Sequence, residues 1–159
     1  SMDPKPLQEP RPPIIYGGVS PLGARRAAAH CDGFYPVFLD PFADPNRHSG
    51  LQTIIKAELE LAGRPFSSFI MMAATTMRIT DQKDALAHQT PRKICTGTPE
   101  QVLEDLETFA RAGYSLVVAK MDCPSGEVEE IHEQIGRVGQ NIIPQCEAIE
   151  ASGGWNTQF

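Results

Sequence analysis

Along this chain, short apolar runs of strand length alternate with stretches whose apolar residues recur every three or four positions. Residues 14–16 form a short apolar strand, and residues 22–30, rich in alanine, form a helix. Residues 33–38 read as a second strand, with Pro36 marking an edge or an irregular end because it brings no N–H to the ladder. Residues 40–46 are a proline-bearing loop. Over 51–62, Leu51, Ile54, Ile55 and Leu59 share one helical face, and Gly63 stands at the position that ends the helix. Residues 66–79 are a long β-prone run, apolar on both faces as a parallel strand is, and 81–88 read as a short helix. Thr98, Pro99 and Gln101 spell a helix start with a capping box, followed by a buried stripe of Val102, Leu103, Leu106, Phe109 and Ala110 that Gly113 ends. Residues 115–119 are a buried strand. The last helix carries Val128, Ile131, Ile135 and Val138 on one stripe and is bounded by Pro144.

The order predicts an α/β fold of four parallel βα units, with crossovers long enough for right-handed connections. Four such units make either a small open sheet or half of an eight-stranded barrel, and periodicity alone leaves both open.

A chain of 159 residues, 41% hydrophobic and 21% charged, suits one soluble domain with a sizeable core. The net charge of −6 and the lack of a basic block with interleaved aromatics argue against nucleic-acid and anionic-membrane surfaces. No apolar run approaches the roughly 18 residues of a membrane helix, and no signal peptide is seen. Cys31, Cys95, Cys123 and Cys146 lie far apart without zinc spacing, as expected of reduced thiols in a cytoplasmic protein; no metal site is expected. Residues 1–12 comprise the scar of a cleaved tag (Ser1-Met2) and a linker, with five prolines between residues 3 and 13. The domain spans 13–149. A tail, 150–159, holds the one tryptophan, Trp155, and reads as a packing arm or as a disordered end.

The chemistry concentrates where the first strand meets the first helix. The strand runs out on Gly17-Gly18-Val19, Ser20 is placed to cap the helix, and Pro21 suits its first position. Such a turn directs free backbone N–H groups and the positive end of a helix dipole at one point beyond the strand, where an α/β protein usually holds a phosphate. Glycine there permits close approach of the anion and positive φ. A tight turn with a capped helix is the plain alternative, and Ser20 serves both.

Three segments together resemble the luciferase-like monooxygenase family, the flavin- and deazaflavin-dependent barrel enzymes related to bacterial luciferase. They are Ile14 to Ser20 with Ala24-Arg25-Arg26-Ala27-Ala28-Ala29 and Asp32-Gly33-Phe34, then Cys95-Thr96-Gly97-Thr98-Pro99-Glu100-Gln101-Val102, then Ala112-Gly113-Tyr114-Ser115-Leu116-Val117-Val118. The resemblance covers nearly all of 12–149 and matches only the C-terminal half of the family's TIM (β/α)8 barrel, strands five to eight. It implies a phosphorylated cofactor, FMN or F420, held by the backbone of Gly17, Gly18 and Val19 and the Ser20 hydroxyl. It also implies a small organic substrate; with only half the barrel matched, either a homodimer completes it or the chain is a truncated form of a longer enzyme.

Other candidates carry plain alternatives. Tyr35 and Phe38 would flank a planar ring or fill the core. Thr75, Thr76 and Arg78 sit near the carboxyl end of the long strand, where barrel chemistry is placed, and Arg78 suits a phosphate or carboxylate. A snorkelling arginine has the same position. Lys120 and Asp122 end the last strand, as a site or as an ion pair and cap. His30, His48, His88 and His132 are scattered; His48, in the loop after the second strand, is the one candidate for acid–base work. Met71, Met72 and Met77 are core fill.

Two functions follow. One is a flavin- or F420-dependent oxidoreductase, whose cofactor does the chemistry and whose protein anchors it, which leaves no nucleophile or triad to be found. The other is a non-catalytic half-barrel, a fold-retaining fragment or a self-associating module, that at most binds a phosphate and has two sheet edges to cover.

Overall fold

The computed structural model describes residues 7–9, 11–37, 44–81, 92–146 and 148–149. The chain divides into two compact units, Ser1–Met71 and Met72–Phe159.

In the first unit, strand β1 (Ile15–Gly17) leads into helix α1 (Pro21–His30), then strand β2 (Gly33–Tyr35), helix α2 (Pro45–Leu61), a 3-10 turn (Phe66–Ser68) and the start of strand β3 (Ile70–Ile79). β1 pairs in parallel with β2 (Ile15 opposite Gly33, Gly17 opposite Tyr35), and β2 with β3 (Phe34 opposite Met71). Three alanines of α1, Ala24, Ala27 and Ala28, are fully buried, and α1 packs on α2, whose Leu51, Ile55 and Leu59 form the buried stripe. Small side chains let α1 sit close. Its last carbonyls are capped from a distance: the Arg64 guanidinium donates to Ala28 O (2.9 Å) and Cys31 O (3.0 Å), a cation at the negative end of the helix dipole. Gly33 is required by close approach, since a Cβ there would lie 2.5 Å from the Ile70 carbonyl oxygen.

In the second unit, β3 continues and is followed by strand β4 (Thr96–Gly97), helix α3 (Pro99–Arg111), strand β5 (Leu116–Met121), helix α4 (Val128–Asn141) and a short helix α5 (Ile143–Cys146). β3 pairs in parallel with β5 from Met72–Leu116 to Met77–Met121, and with β4 at Arg78–Thr96 and Ile79–Gly97. α3 begins as its sequence requires: Gln101 N–H donates to Thr98 Oγ1, Thr98 N–H donates to Gln101 Oε1 (3.0 Å), and Pro99 occupies the first turn. Val102, Phe109 and Ala110 are buried, with Phe109 edge-on to Tyr114 at 6.0 Å between ring centroids. From within α3, the Asp105 carboxylate receives both arms of Arg92 (2.8 Å each) and the Cys95 N–H (2.7 Å) from the segment before it. These bonds hold Cys95 at φ 57, a left-handed conformation uncommon outside glycine.

One side chain acts as backbone. Gln134 of α4, 5% exposed, accepts from Ile79 N–H at Oε1 (2.8 Å) and donates from Nε2 to Ile79 O (3.1 Å). Its carboxamide supplies a rung beyond the point where β5 ends, satisfying two groups that could not be left bare.

Several expectations need correction. The second strand ends at Tyr35, not at residue 38, because Pro36 cannot donate and Val37 N–H turns back to Tyr35 O (2.9 Å). α2 starts at Pro45, inside the expected 40–46 loop, because Asp44 caps it by accepting from Arg47 N–H (3.1 Å). Residues 66–68 coil after Pro65, so the long strand opens at Ile70. A fifth strand, β4, adds to the four expected. β5 is not buried: Leu116, Val118 and Lys120 are exposed on one face. The α4 stripe is also largely open, with Val128 and Ile135 exposed and Ile131 and Val138 half-buried. Pro144 lies within α5. The helix expected at 81–88 lies outside the described residues beyond Asp81.

Replacing Gln134 with alanine strands both Ile79 backbone groups. We expect a loss of about 2–4 kcal/mol in urea unfolding, with the denaturant slope unchanged.

Candidate functional site

The β1–α1 junction has the predicted strand–turn–helix form. Ser20 is the N-cap of α1, its Oγ accepting from Gly23 N–H (3.1 Å), and Pro21 opens the helix. Tyr16 stacks near-parallel to Phe34 (6.4 Å, 9°) and braces the turn from below. A Cβ on Gly18 or on Gly23 would lie 3.1 Å from Tyr16 Cε1, so both glycines are seated against that ring.

The four expected ligands are not equivalent. Gly18 N–H is spent on Tyr35 O (3.0 Å), extending the β1–β2 ladder by one rung. Neither Gly17 nor Gly18 has positive φ, so the expected need for glycine on that ground is corrected; what crowds Gly18 is the Tyr16 ring. The N–H groups of Val19 and Ser20 donate to no described residue. Leu22 N–H, in the first turn of α1, has no intrahelical acceptor. These donors, with the N-terminal end of a ten-residue helix, are what the junction offers an anion.

Sequence reasoning missed the cation beside them. Arg47, exposed in the first turn of α2, donates from Nη2 to Val19 O (3.2 Å). Its remaining guanidinium donors have no partner among the described residues. The Asp44-Pro45 cap places it there, a helix-start signal of the same kind as Thr98-Pro99, so it could have been found. His48, on the next position of α2, is not in a loop; it is buried at 5% exposure, with its N–H donating to Asp44 O (3.2 Å). Tyr35 is half-buried, and Phe38 lies outside the described residues.

The entry to β1 is clamped. Asp32 accepts from Arg11 (2.6 Å) and from Ile14 N–H (2.6 Å), and the hydrogen bond from Arg11 holds its carboxyl below the usual aspartate range.

The carboxyl ends of β3 and β5, in the second unit, hold a separate group. Arg78, expected as a possible anion ligand, is engaged by Glu130 (2.8 Å) and by Asp122 O (3.0 Å). Glu130 in turn accepts from the Ser125 hydroxyl and N–H, and those bonds, Ser125's first, hold its carboxyl below the usual range. Asp122 pairs with Lys93 (2.9 Å). Both bonds leave Arg78 Nη1, and through them Arg78 ties β3 to the start of α4. Thr75 and Thr76 are half-buried, the Thr75 hydroxyl donating to Thr76 O (3.2 Å); Lys120, His30 and His132 are exposed; His88 lies outside the described residues. Met71 and Met77 are buried and Met72 is half-buried. Among the described residues no three His, Cys, Asp or Glu side chains are grouped to hold a metal ion, and no helix is long and apolar enough to cross a membrane. The four cysteines are free thiols.

No family model matches this sequence, and no curated protein matches it. Solved structures do. The coenzyme F420-dependent tetrahydromethanopterin reductase from Methanopyrus kandleri superposes with a TM-score of 0.61 at 17% identity, over 84% of this chain and 50% of the reductase. A riboflavin lyase, solved with modified FMN and its substrate riboflavin, superposes with a TM-score of 0.60 at 14% identity, over 90% of this chain and 44% of the lyase. The likeness shows the fold: parallel strands alternating with helices, an α/β arrangement of the TIM-barrel kind. The chain spans about half the length of each of these structures.

Because Asp32 is a stronger acid when folded, its stabilising effect is complete above the ordinary aspartate pKa of about 3.9 and fades as pH falls below it. Asp32→Asn is expected to lower Tm at neutral pH and to leave a smaller difference from wild type near pH 3, checked by thermal melts across that range.

Proposed function

We propose that this chain carries the cofactor-phosphate end of a flavin (FMN)- or deazaflavin (F420)-dependent oxidoreductase of the luciferase-like kind. The observation that carries the reading is the β1–α1 junction: N–H donors of Val19, Ser20 and Leu22 at the N-terminus of α1, with the Arg47 guanidinium beside them. Donors and charge both suit a phosphate, and an arginine whose other N–H groups have no partner among the described residues adds charge-assisted bonds. The fold shared with an F420-dependent reductase and with a lyase holding modified FMN supports the choice of cofactor class.

The junction fits the phosphate and says nothing of the ring, so FMN and F420 stand as equal choices. When bound, either cofactor supplies the redox chemistry, as hydride transfer or, for reduced flavin, activation of oxygen. This chain's own part is to anchor: Val19 and Ser20 N–H bind, Ser20 Oγ keeps the helix end in place through Gly23, and Arg47 neutralises charge. A small organic substrate is the expected reactant.

A second reading has its own observation. Among the described residues β1 pairs only with β2, and β5 only with β3, so each unit ends on an open strand edge. A non-catalytic module that covers these edges by pairing with a second copy fits that geometry.

Titrating the purified chain with FMN and with F420, followed by absorbance and fluorescence, separates the two. On the first reading one cofactor saturates, and Arg47→Ala weakens it roughly tenfold, as loss of a charge-assisted hydrogen bond does. Gly18→Val, which drives a side chain toward the Tyr16 ring, weakens it further. Saturation by neither, from a chain that sediments as a dimer, favours the module.

A further inference from the structure

Both ends of the segment that carries the junction's backbone donors rest on one aromatic edge. A Cβ at Gly18, just before Val19, Ser20 and Leu22, and a Cβ at Gly23, just after them, would each lie 3.1 Å from the same atom, Tyr16 Cε1. The Cβ position at Gly23 is also 3.2 Å from Ser20 Oγ, so ring, cap and first helical turn meet there. The ring has a fixed seat of its own. The β1–β2 register sets Tyr16 opposite Phe34, whose ring is fully buried and lies within 9° of parallel to it.

We propose, resting on the phosphate reading of this junction, that Tyr16 is its positioning residue: a rigid spacer between the glycine turn and α1 that aims the N–H groups of Val19, Ser20 and Leu22 at one anion without touching it. A turn built on glycine orders at a greater entropic cost than any other, and donors that a ligand must first order bind it more weakly by that cost. A ring stacked on the core carries that ordering into the free protein. The strand pairing thus reaches the site through a side chain: register fixes Tyr16 beside Phe34, and Tyr16 fixes the turn. Gly18 then has a reason of its own. The room that glycine leaves there is taken by the Tyr16 edge, so a side chain at 18 displaces the donors by pressing on the ring, whether or not an anion is present.

Each phosphorylated ligand is titrated beside its phosphate-free form, FMN beside riboflavin and F420 beside its bare deazaflavin, by fluorescence below the melting midpoint of every variant. Tyr16→Phe keeps the ring and is expected to bind as the wild type does. Tyr16→Ala, and Tyr16→Leu, which keeps apolar volume beside Phe34, are expected to weaken the phosphorylated ligand several-fold and leave the phosphate-free one unchanged. Gly18→Ala is expected to weaken it in the wild-type background and to do nothing further in the Tyr16→Ala background, because the ring it presses on is gone. Unchanged affinity in Tyr16→Ala and Tyr16→Leu overturns the proposal while phosphate binding stands. Tyr16→Phe as weak as Tyr16→Ala also overturns it, by making the hydroxyl a ligand. So does the same loss from Gly18→Ala in both backgrounds, which means the glycine makes room for the anion itself. A wild type that prefers neither phosphorylated ligand over its phosphate-free form removes the phosphate reading, and this role for Tyr16 with it.

Discussion

Parallel backbone pairing to β3 is the constraint on which each of the two units depends. Ile70 and Met71 pair with β2, Met72 to Met77 with β5, and Arg78 and Ile79 with β4. A parallel strand cannot recruit its neighbour through a tight turn; each pairing has to be closed by a crossover of a dozen residues or so, here usually a helix. β3 therefore collects contacts that local sequence cannot form early. The helices exist in their positions because they are the return paths of those pairings. Their buried faces, alanine-lined in α1 and aliphatic in α2, are shaped to lie on what they return to.

What could be read from the residues was whatever is determined locally. The start of α3 needs only Thr98, Pro99 and Gln101, three side chains within one turn, and it appears as expected. The strand–turn–helix at Gly17 to Pro21 is local in the same way. Asp44-Pro45 is an equally local signal, obscured because prolines at 41 and 45 also read as loop. What escaped depends on partners far along the chain. β4 has two residues and no periodicity to reveal it, and Gln134 sits among glutamates while its partner is 55 residues away. Periodicity also states which face of a helix is apolar and not whether anything covers it. That is why the stripe of α4 and the inner-looking pattern of β5 were expected to be buried and are open.

The candidate phosphate site shows the same division. Its turn and cap are local and were legible; its cation comes from another helix and was not. Arg47 reaches Val19 only because α2 packs along α1, with Arg25 and Glu58 facing one another across the helix pair at 3.4 Å. On the proposed reading, the anion site at this junction rests on the packing of two helices as well as on a loop. Arg78, the arginine the strand pattern offered as an anion ligand or a snorkelling strand-end residue, is engaged through Nη1 by Glu130 and the Asp122 carbonyl, and its position at a strand end serves cohesion.

The Gln134 rung has a further consequence. A sheet edge finished by backbone can be changed only by lengthening or shortening a strand, which shifts every residue after it. An edge finished by a side chain is adjustable one codon at a time, because a substitution at 134 opens or closes the last rung of β3 without touching the register of β5. The boundary of this sheet is thus set from α4, by one side chain, independently of the register of the strands themselves.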